Sequence, residues 1–350
     1  MPATARAFGR VSGRVASIGL YAIFQAVQSQ LNSGSTGARA LVIFPGALGD
    51  FVCFLPALHA LARGYEVELC ARAEYGELVP ARIHAQSIER RELSRLFVAG
   101  ADLRETKAFF EQFEIVYSWS GSADAVFREN FARAAGSAGR LFPFRPAAAR
   151  MHIADYYLDC AGAPPGGAPA IALKHDALEW ARAWLRDRGL NGARLLIVAP
   201  GSGAQEKNWP REYFREVMQH WERSRSGKVS VVLGPAEAGE YAFWNERSAA
   251  ARGLSLGQLA ALLSTADVYV GNDSGVTHLA AAIGVKTIAL FGPTDRDEWA
   301  PRGSDVEVVT LGVECSPCER AAMKSCPHRK CLTTLKSRDV INAVQGIPLE

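Results

Sequence analysis

The chain has 350 residues, of which 49% are hydrophobic, and a formal net charge of +3 at pH 7. This length suits two domains of ordinary size, and the composition excludes a largely disordered chain and a general nucleic-acid surface. Seven cysteines, four of them near the carboxyl terminus, do not form the pattern of a secreted disulfide framework, which favours a reducing compartment.

Residues 1–39 form a basic extension that contains Arg6, Arg10, Arg14 and Arg39 but no acidic residue. Its apolar stretch, residues 15–27, is too short to span a bilayer. A signal peptide, a basic amphipathic helix on a membrane surface and an unstructured leader are the alternatives, and the lack of a small-x-small cleavage site weakens the first. We expect a helix that contacts an anionic membrane, and hence a cytoplasmic protein peripheral to the inner membrane.

A first β-α-β unit follows this extension. Residues 40–44 are a continuous apolar run typical of a buried parallel strand, residues 51–62 form a helix, and residues 67–71 form the next strand. The loop between the first strand and the helix contains Gly46 and Gly49, but no G-x-G-x-x-G, so a dinucleotide-binding dehydrogenase is only weakly indicated.

Asp50 lies where the first strand has ended and the helix begins. One interpretation is a helix N-cap, which alone accounts for an aspartate at this place. The other is a carboxylate that faces a cleft and accepts a proton from a substrate hydroxyl. A helix N-terminus stabilises the ionised carboxylate and makes it a weaker base, whereas burial acts in the opposite direction.

The segment from residue 77 to residue 150 predicts two further strands, residues 96–99 and 115–119. Arginines recur in it, as expected either for a solvated surface or for contact with an acidic acceptor. These arginines are Arg82, Arg90, Arg91, Arg95, Arg128, Arg133, Arg140, Arg145 and Arg150. Residues 160–169 are rich in proline and glycine and are the best candidate for an interdomain linker.

The second half of the chain alternates strands with helices, which predicts a doubly wound parallel sheet. Its predicted strands are residues 195–199, 229–233, 268–270 and 287–291, and its predicted helices are residues 211–224, 256–265 and 276–283. Three strands end in polar turns at Gly201, Gly234 and Gly271, and we expect these turns to converge on one edge of the sheet. The turn at residues 271–275 begins a helix whose free backbone N–H groups suit a phosphate, although such residues are also ordinary turn and cap residues. Lys207 follows the first turn and is placed to reach a diphosphate over that helix.

Four stretches resemble the heptosyltransferase-like glycosyltransferases of family 9, which have the GT-B fold of two Rossmann-like domains facing a cleft. They are GALGDFVCFLPALHAL (46–61), PGSGAQEKNWP (200–210), GPAE (234–237), and GNDSGVTHLAAAIG (271–284) followed by ALFGPTD (289–295). The stretches occur in the right order and span most of residues 40–335. The last is the most specific of the four.

The resemblance implies an inverting, metal-independent transfer of a sugar from a nucleotide sugar, typically ADP-heptose, to a saccharide hydroxyl of a lipopolysaccharide core. It implies no cofactor beyond the donor substrate. Asp50 matches the proposed catalytic base and Lys207 the lysine that faces the donor phosphates. His278 is expected either to bond a phosphate or to pack. The implied donor-binding residues are Gly49, Ser202, Lys207, Glu237 in preference to Glu240, Asp273, Ser274, Gly275, Val276 and His278.

The same resemblance divides the chain into a basic extension (1–39), an acceptor-side domain (40–165), a donor-binding domain (170–335), and a C-terminal helix and tail (336–350). The final helix, predicted at residues 337–344, is expected to pack back across the domain junction. The chain departs from the family at Phe44, where many members carry an arginine, so the resemblance does not imply a contact between position 44 and an anionic core sugar.

The cysteines near the carboxyl terminus have the spacing Cys315-x2-Cys318-x7-Cys326-x4-Cys331, with His328 nearby. This spacing is compatible with a structural zinc site, although a single C-x-x-C is weaker than a paired framework. Free thiols are the main alternative, and disulfides are the least favoured.

Two other functions fit the same fold. A sugar-nucleotide epimerase would act without an acceptor, and a binding protein would hold a nucleotide sugar without turnover. The presence of Asp50 together with Lys207 is an argument against the binding protein.

Overall fold

The structure is a computed structural model that describes residues 37–146, 150–246 and 248–346. It contains two parallel sheets, each flanked by helices. The helix expected in the basic extension lies outside the described residues. Within the described part of the chain, no helix combines the length and the apolar character needed to cross a bilayer.

The N-terminal sheet has five strands in the order β3-β2-β1-β4-β5, all parallel. Its strands are β1 (Arg39–Ile43), β2 (Glu66–Ala71), β3 (His84–Ser87), β4 (Ile115–Ser118) and β5 (Gly139–Leu141). Its helices are α1 (Leu48–Leu61), α2 (Arg91–Ser94), α3 (Arg104–Phe110), α4 (Ala125–Ala135) and α5 (Ile153–Cys160), with 3-10 turns at Ala73–Glu77, Arg95–Phe97 and Gly136–Ala138.

The C-terminal sheet has six parallel strands in the order β11-β10-β9-β6-β7-β8. Helix α6 (His175–Asp187) precedes it. Its strands are β6 (Leu195–Ala199), β7 (Lys228–Leu233), β8 (Ala249–Arg252), β9 (Val268–Asn272), β10 (Lys286–Leu290) and β11 (Val306–Val309). The helices that follow α6 are α7 (Arg211–Arg225), α8 (Tyr241–Asn245), α9 (Leu256–Leu263), α10 (Gly275–Ile283), α11 (Arg296–Trp299), α12 (Arg320–Ser325), α13 (Lys330–Thr333) and α14 (Ser337–Gln345), with 3-10 turns at Gln205–Lys207 and Pro235–Glu240.

The central strands confirm the interpretation of the apolar runs. In β6 all five residues are buried, because helices cover both faces of a parallel sheet. The prediction of a strand at residues 96–99 is wrong. That segment forms a 3-10 turn that buries Leu96, while Phe97 and Val98 remain about half exposed, a pattern that a strand inside this sheet does not allow. The polar edge strand β3 lacks the apolar run on which such predictions depend.

The two sheets share one continuous core. Helix α1 packs against α5 on one side and against α10 of the C-terminal half on the other, and a single cluster of buried apolar residues includes members of both sheets. Glu77 adds a polar contact across the junction, since its carboxylate accepts hydrogen bonds from the Gly257 N–H (2.8 Å) and from the Ser255 hydroxyl at the start of α9. The chain crosses between the two halves through irregular residues 161–174, which include the predicted linker.

The final helix does not cross the domain junction as expected. Helix α14 packs on α7 and on β10 and β11, and its apolar residues Val340, Ala343 and Val344 belong to the core of the C-terminal half. The amphipathic pattern of this helix predicts that one of its faces is buried, but it does not predict which sheet that face covers. In the structure, α7 presents the apolar face against which α14 packs.

A cluster of aromatic rings lies beneath the start of α1. The Phe54 ring stacks on Phe44, with ring centroids 4.2 Å apart, and meets Trp119 and Tyr157 edge to face at 4.8 Å and 5.5 Å. Phe44 is fully buried in this cluster, so its side chain is a packing element of the core. The aromatic cluster therefore supports the helix that carries Asp50.

We expect Phe54→Ala to lower the free energy of unfolding by about 3–5 kcal/mol, because it leaves a cavity among the three remaining rings of the cluster. The measurement is the urea unfolding transition of the purified protein. Phe97→Ala is the matched control: its ring is 49% exposed, and its loss is expected to be below about 1 kcal/mol. Equal losses in the two variants would contradict the structural role given to the aromatic cluster.

Candidate active site

A cavity of about 710 Å³ lies between the carboxyl ends of the two sheets. The start of α1 and the segment after β5 line it from the N-terminal half. From the C-terminal half it is lined by the turn before α7, the start of α10, the segment after β10 and the cysteine-containing loop. Open α/β sheets bind ligands at this edge, where strands end and helices begin.

Two helix N-termini meet at the base of this cavity. A β-carbon added to Gly275 would lie 2.8 Å from the Leu48 β-carbon and 2.9 Å from the Gly49 nitrogen, closer than real β-carbons come to other atoms. Gly275 is therefore required for α10 to approach α1. Ser274 caps the Thr277 N–H of α10, which leaves the Gly275 and Val276 N–H groups as the free donors of that first turn. The starts of α1 and α10 both present partial positive charge towards the cavity.

Lys207 reaches the start of α10, and its predicted contact with a diphosphate stays a prediction. Its ammonium group pairs with the Asp273 carboxylate at 2.7 Å, and the Thr294 hydroxyl donates to the same carboxylate oxygen. The neighbouring Asn272 ties the turns together, since its amide nitrogen donates to the Pro200 carbonyl at 2.6 Å and its amide oxygen accepts from the Trp209 N–H at 2.9 Å. The turns after β6 and β9 thus form one unit.

Asp50 lies across the cavity from these turns, but it is not the N-cap of α1. The cap is Ala47, and Asp50 occupies the third helical position, from which its Oδ2 accepts the Ala47 N–H at 3.2 Å. The helix begins three residues earlier than predicted, because Leu48 and Gly49 already have helical geometry. The other oxygen of Asp50, Oδ1, accepts from the Arg145 guanidinium at 2.6 Å.

Arg145 is a site residue that the sequence did not single out from the other arginines. Its guanidinium lies 4.3 Å from the Phe144 ring centroid and 4.5 Å from that of Trp299, which comes from the other half of the chain. It also donates to the Tyr157 hydroxyl at 3.0 Å. Only its placement between the Phe144 and Trp299 rings and beside the Tyr157 hydroxyl distinguishes it, and this placement has no local sequence signal. Arg150 also lines the cavity, whereas Arg90 pairs with Glu68 and Glu92 elsewhere.

His278 lines the cavity from the first turns of α10 and is almost completely buried. Burial lowers the pKa of its imidazole to about 4, and the nearby Asp273 only partly opposes this effect. Its Nδ1 lies 3.4 Å from the Cys53 sulfur of α1, and burial raises the pKa of that thiol far above its usual range. His278 therefore packs in the helix contact and faces the cavity as a neutral ring at pH 7.

Carboxylates outnumber cationic side chains around the cavity, so an anion is not held there by net charge alone. The acidic lining residues are Asp50, Asp273, Asp295, Glu298 and Glu319, and the cationic ones are Arg145, Arg150 and Lys207. An anionic ligand must be recognised locally, at Lys207 and the first turn of α10.

Of the residues predicted to bind the donor, the cavity brings together Gly49, Lys207, Asp273, Ser274, Gly275 and His278, and it adds Asp50. Ser202, Glu237 and Val276 do not line it. The Ser202 hydroxyl bonds within its own turn, to the Ala204 carbonyl and to Asn208. Glu237 lies beside Gly201 at the same sheet edge and accepts from the Gly234 N–H, while the Val276 side chain packs against the core. Their donor-binding roles stay predictions.

The four cysteines near the carboxyl terminus are free thiols. Cys318 lines the cavity, and its N–H donates to the Pro293 carbonyl at 2.7 Å, whereas Cys331 is buried. Among the described residues, no group of three or more histidine, cysteine or acidic side chains is arranged to hold a metal ion. The zinc site at Cys315, Cys318, Cys326 and Cys331 stays a prediction without a preformed ligand set.

Two polar contacts join the halves beside the cavity. The Arg302 guanidinium binds both oxygens of Asp155 on α5, at 2.8 Å and 2.5 Å, and this pairing lowers the pKa of the carboxyl group. His152 Nε2 contacts the Ala300 carbonyl at 2.8 Å. Ala300 and Arg302 follow closely after Trp299 in the chain. These two contacts therefore hold the part of the cavity wall that contains Trp299 against α5.

Comparison with known proteins supports the resemblance found in the motifs. Residues 163–328 match the model of glycosyltransferase family 9 (heptosyltransferase). Lipooligosaccharide heptosyltransferase 2 of Campylobacter jejuni is 29% identical over 171 residues, which cover 45% of this chain and 52% of that protein. The match thus spans about half the length of this relative. The carboxyl-terminal half of the chain is therefore similar to the heptosyltransferases of glycosyltransferase family 9.

Solved structures confirm the GT-B fold. A family 9 glycosyl transferase from Veillonella parvula has a TM-score of 0.70 at 20% identity, with 88% of this chain and 96% of that chain covered. The E. coli ADP-heptose lps heptosyltransferase II has a TM-score of 0.63 at 15% identity, with 88% and 98% covered. At these identities the likeness concerns the fold alone.

The lowered pKa of His278 makes stability depend on pH. Because the imidazole has a pKa of about 4 when folded and 6.5 when free, the unfolded chain binds the proton more tightly. The stability that the neutral, buried His278 contributes to the folded protein is present above pH 6.5 and is lost as the pH falls towards 4. Between pH 7 and pH 5 we expect His278 to contribute a loss of about 2 kcal/mol, so the total loss in His278→Gln is smaller by that amount, while the other buried histidines keep their share.

The measurement is the urea unfolding transition at the two pH values. The exposed His84 supplies the control His84→Gln, which should keep the full loss. An unchanged pH dependence in His278→Gln would show that this ring is not the buried neutral group described here.

Proposed function

We propose that the protein transfers heptose from ADP-heptose to a saccharide hydroxyl of a lipopolysaccharide core, with inversion at the sugar carbon and without a metal ion. One observation carries the proposal: Asp50 of the N-terminal half and the Lys207–Asp273 pair of the C-terminal half line a single cavity. A proton acceptor and a phosphate-binding group thus stand on opposite sides of a space large enough for a sugar. The similarity to proteins named as heptosyltransferases supports the proposal.

The donor diphosphate would lie over the start of α10. Lys207 is 23% exposed and already directed at this turn, so it can exchange the Asp273 carboxylate for a phosphate oxygen or bind both. The first-turn N–H groups of α10 supply further donors. Asp273 keeps Lys207 in place before the donor arrives.

The reaction places charge at two points. The acceptor oxygen attacks the anomeric carbon on the face opposite the diphosphate, the bond from that carbon to the phosphate oxygen breaks, and the acceptor proton passes to Asp50. The electron pair of the broken bond leaves with ADP. Lys207 and the N–H groups of α10 stabilise the departing diphosphate, which is the role that a divalent cation has in other enzymes.

Asp50 can receive the proton while it remains hydrogen bonded. Each carboxylate oxygen has two acceptor positions, and the Ala47 N–H and Arg145 use one on each oxygen. An acceptor hydroxyl can therefore approach Asp50 from the cavity. The contact with Arg145 fixes the direction of the carboxylate before the hydroxyl binds.

Arg145 and Arg150 suit an acceptor that is itself anionic. Both line the cavity on the side of Asp50, and the Arg145 side chain is 40% exposed. Phe44 takes no part in this contact, because it is buried in the aromatic cluster. An acidic core sugar next to the accepting hydroxyl would meet these two guanidinium groups. Peripheral contact of the basic extension with the cytoplasmic face of the inner membrane would bring a lipid-linked acceptor within reach.

The proposal is tested by screening nucleotide sugars for an increase in melting temperature and then measuring transfer from each ligand with and without EDTA. We expect ADP-heptose to stabilise the protein and transfer to continue in EDTA. Consumption of the donor without an acceptor would indicate an epimerase, and binding without turnover would indicate a binding protein. If no nucleotide sugar stabilises the fold, the donor site is wrong.

Two substitutions separate the halves of the site. Asp50→Asn should reduce the transfer rate by about a hundredfold to ten-thousandfold and leave donor affinity unchanged, because it removes the proton acceptor alone. Lys207→Gln should weaken donor binding by at least about tenfold, through the loss of a charge-assisted hydrogen bond. Isothermal titration with ADP and initial transfer rates measure the two effects.

The exposed Asp102 and Lys107 provide the matched controls Asp102→Asn and Lys107→Gln, which should behave like the unmodified protein. If Asp50→Asn weakened ADP binding as much as Lys207→Gln does, Asp50 would have only a structural role at the start of α1. Unchanged affinity and turnover in Lys207→Gln would remove the phosphate role of the lysine.

A further inference from the structure

A second cavity, of about 510 Å³, lies at the other end of α1. It is bounded by the last turns of α1, by Leu158 of α5 and by the linker residues 163–168 and 170. It shares no lining residue with the cavity at Asp50. His59, which lines it, follows Asp50 by nine positions, so the two cavities lie roughly 13 Å apart along the helix.

His59 and Arg63 line this second cavity, and Arg82 lies outside its lining but near enough for its charge to act on His59. His59 is 94% buried, being 6% exposed, and its Nε2 has no hydrogen-bond partner among the described residues. The Nε and Nη2 atoms of Arg82, in the loop before β3, are likewise buried and without a partner within that part of the chain. Buried polar groups are normally hydrogen bonded, so the unpartnered His59 Nε2 at the cavity and the unpartnered nitrogens of Arg82 call for a ligand.

The charges around His59 have one sign. Burial, and after it the charges of Arg82 and Arg63, lower the pKa of the imidazole to about 4, with no acidic group acting against them. Arg63 lines the cavity, and neither arginine forms an ion pair or a side-chain hydrogen bond within the described ranges. Two arginines without a carboxylate partner, next to an unpartnered imidazole, form a site for an anion.

We propose that His59, Arg63 and Arg82 bind a phosphate group, either as free phosphate or as the phosphomonoester headgroup of a lipid. The planar guanidinium of Arg82 can donate two parallel hydrogen bonds from Nε and Nη2 to one phosphate, and His59 Nε2 can donate a third in the matching tautomer. Arg63, being exposed, closes the site from solvent.

The surroundings suit a phosphate that carries an organic group. Pro56, Leu158, Pro164 and Pro165 form an apolar rim, and a β-carbon on Gly167 would lie 3.2 Å from the Pro56 β-carbon, so the linker backbone lies directly on α1. The bound phosphate would thus contact both the N-terminal half and the chain segment that leads to the C-terminal half.

The competing explanation is that Arg63 and Arg82 only balance the partial negative charge at the carboxyl end of α1. The two explanations differ in phosphate-free buffer. If the arginines balance the negative charge at the helix end, Arg82→Gln lowers the melting temperature of the protein in phosphate-free buffer. If they form a vacant anion site, Arg82→Gln relieves the repulsion between like charges and leaves the melting temperature unchanged or raises it.

The experiment measures the melting temperature of the full chain as inorganic phosphate replaces chloride at constant ionic strength. Phosphate should raise the melting temperature of the unmodified protein by mass action. Arg63→Gln and Arg82→Gln should each weaken this response by about tenfold or more in apparent affinity, the effect of losing a charge-assisted hydrogen bond. Arg63 is exposed, so its variant folds even if that of Arg82 does not.

Lys207→Gln separates this site from the candidate active site, and Arg104→Gln, at an exposed arginine paired with Asp102, is the surface control. Both should keep the phosphate response that the Arg63 variant loses. No response in the unmodified protein, or a response lost in Lys207→Gln and kept in Arg63→Gln, would overturn the proposal.

Vesicles separate the two sources of the phosphate. Phosphatidylcholine vesicles with and without phosphatidic acid are mixed with the unmodified protein and with Arg63→Gln, and co-flotation is measured. Flotation that requires both phosphatidic acid and Arg63 identifies a lipid headgroup. Flotation that does not depend on Arg63, together with an Arg63-dependent response to inorganic phosphate, identifies free phosphate as the ligand.

Discussion

The close contact between the first turns of α1 and α10 is the constraint on which the site depends. Gly49 and Gly275 let the two helices meet at close range, with Leu48 packed against Gly275, and the His278 and Cys53 side chains contact each other just behind. The contact brings the carboxyl edges of two separate sheets to one cavity. The contact also directs two helix N-termini into the same cavity. Their partial positive charge is therefore concentrated beside the acidic side chains that line the cavity from both halves of the chain.

Every charged group central to the cavity already has a partner. Lys207 is held by Asp273, and Asp50 by Arg145 and by the backbone of its own helix. These pairs keep the side chains ordered and prevent uncompensated charge in a half-buried space. A nucleotide sugar and its acceptor would enter by exchanging partners, which makes recognition local and explains how a phosphate can bind among several carboxylates.

The sequence predicted the parts of the fold that depend on local patterns. The buried parallel strands and the glycine-containing turns gave clear signals, and the family motifs located Asp50, Lys207 and the start of α10. Long-range placement had no such signal. Nothing near Arg145 shows that stacked rings from both halves direct it at Asp50, and the amphipathic pattern of α14 does not show which sheet it covers. The turn at residues 95–97 was mistaken for a strand because its apolar residues suggest burial that only Leu96 attains.

The most direct measurement is amide hydrogen exchange of the unmodified protein with and without ADP. The account predicts that ADP slows exchange in residues 204–208 and in the first turns of α10, because the diphosphate binds at Lys207 and at the free N–H groups of that helix. Exchange in the edge strand β3, far from the cavity, should not change. Protection confined to the N-terminal half, or no protection at the start of α10, would contradict the account.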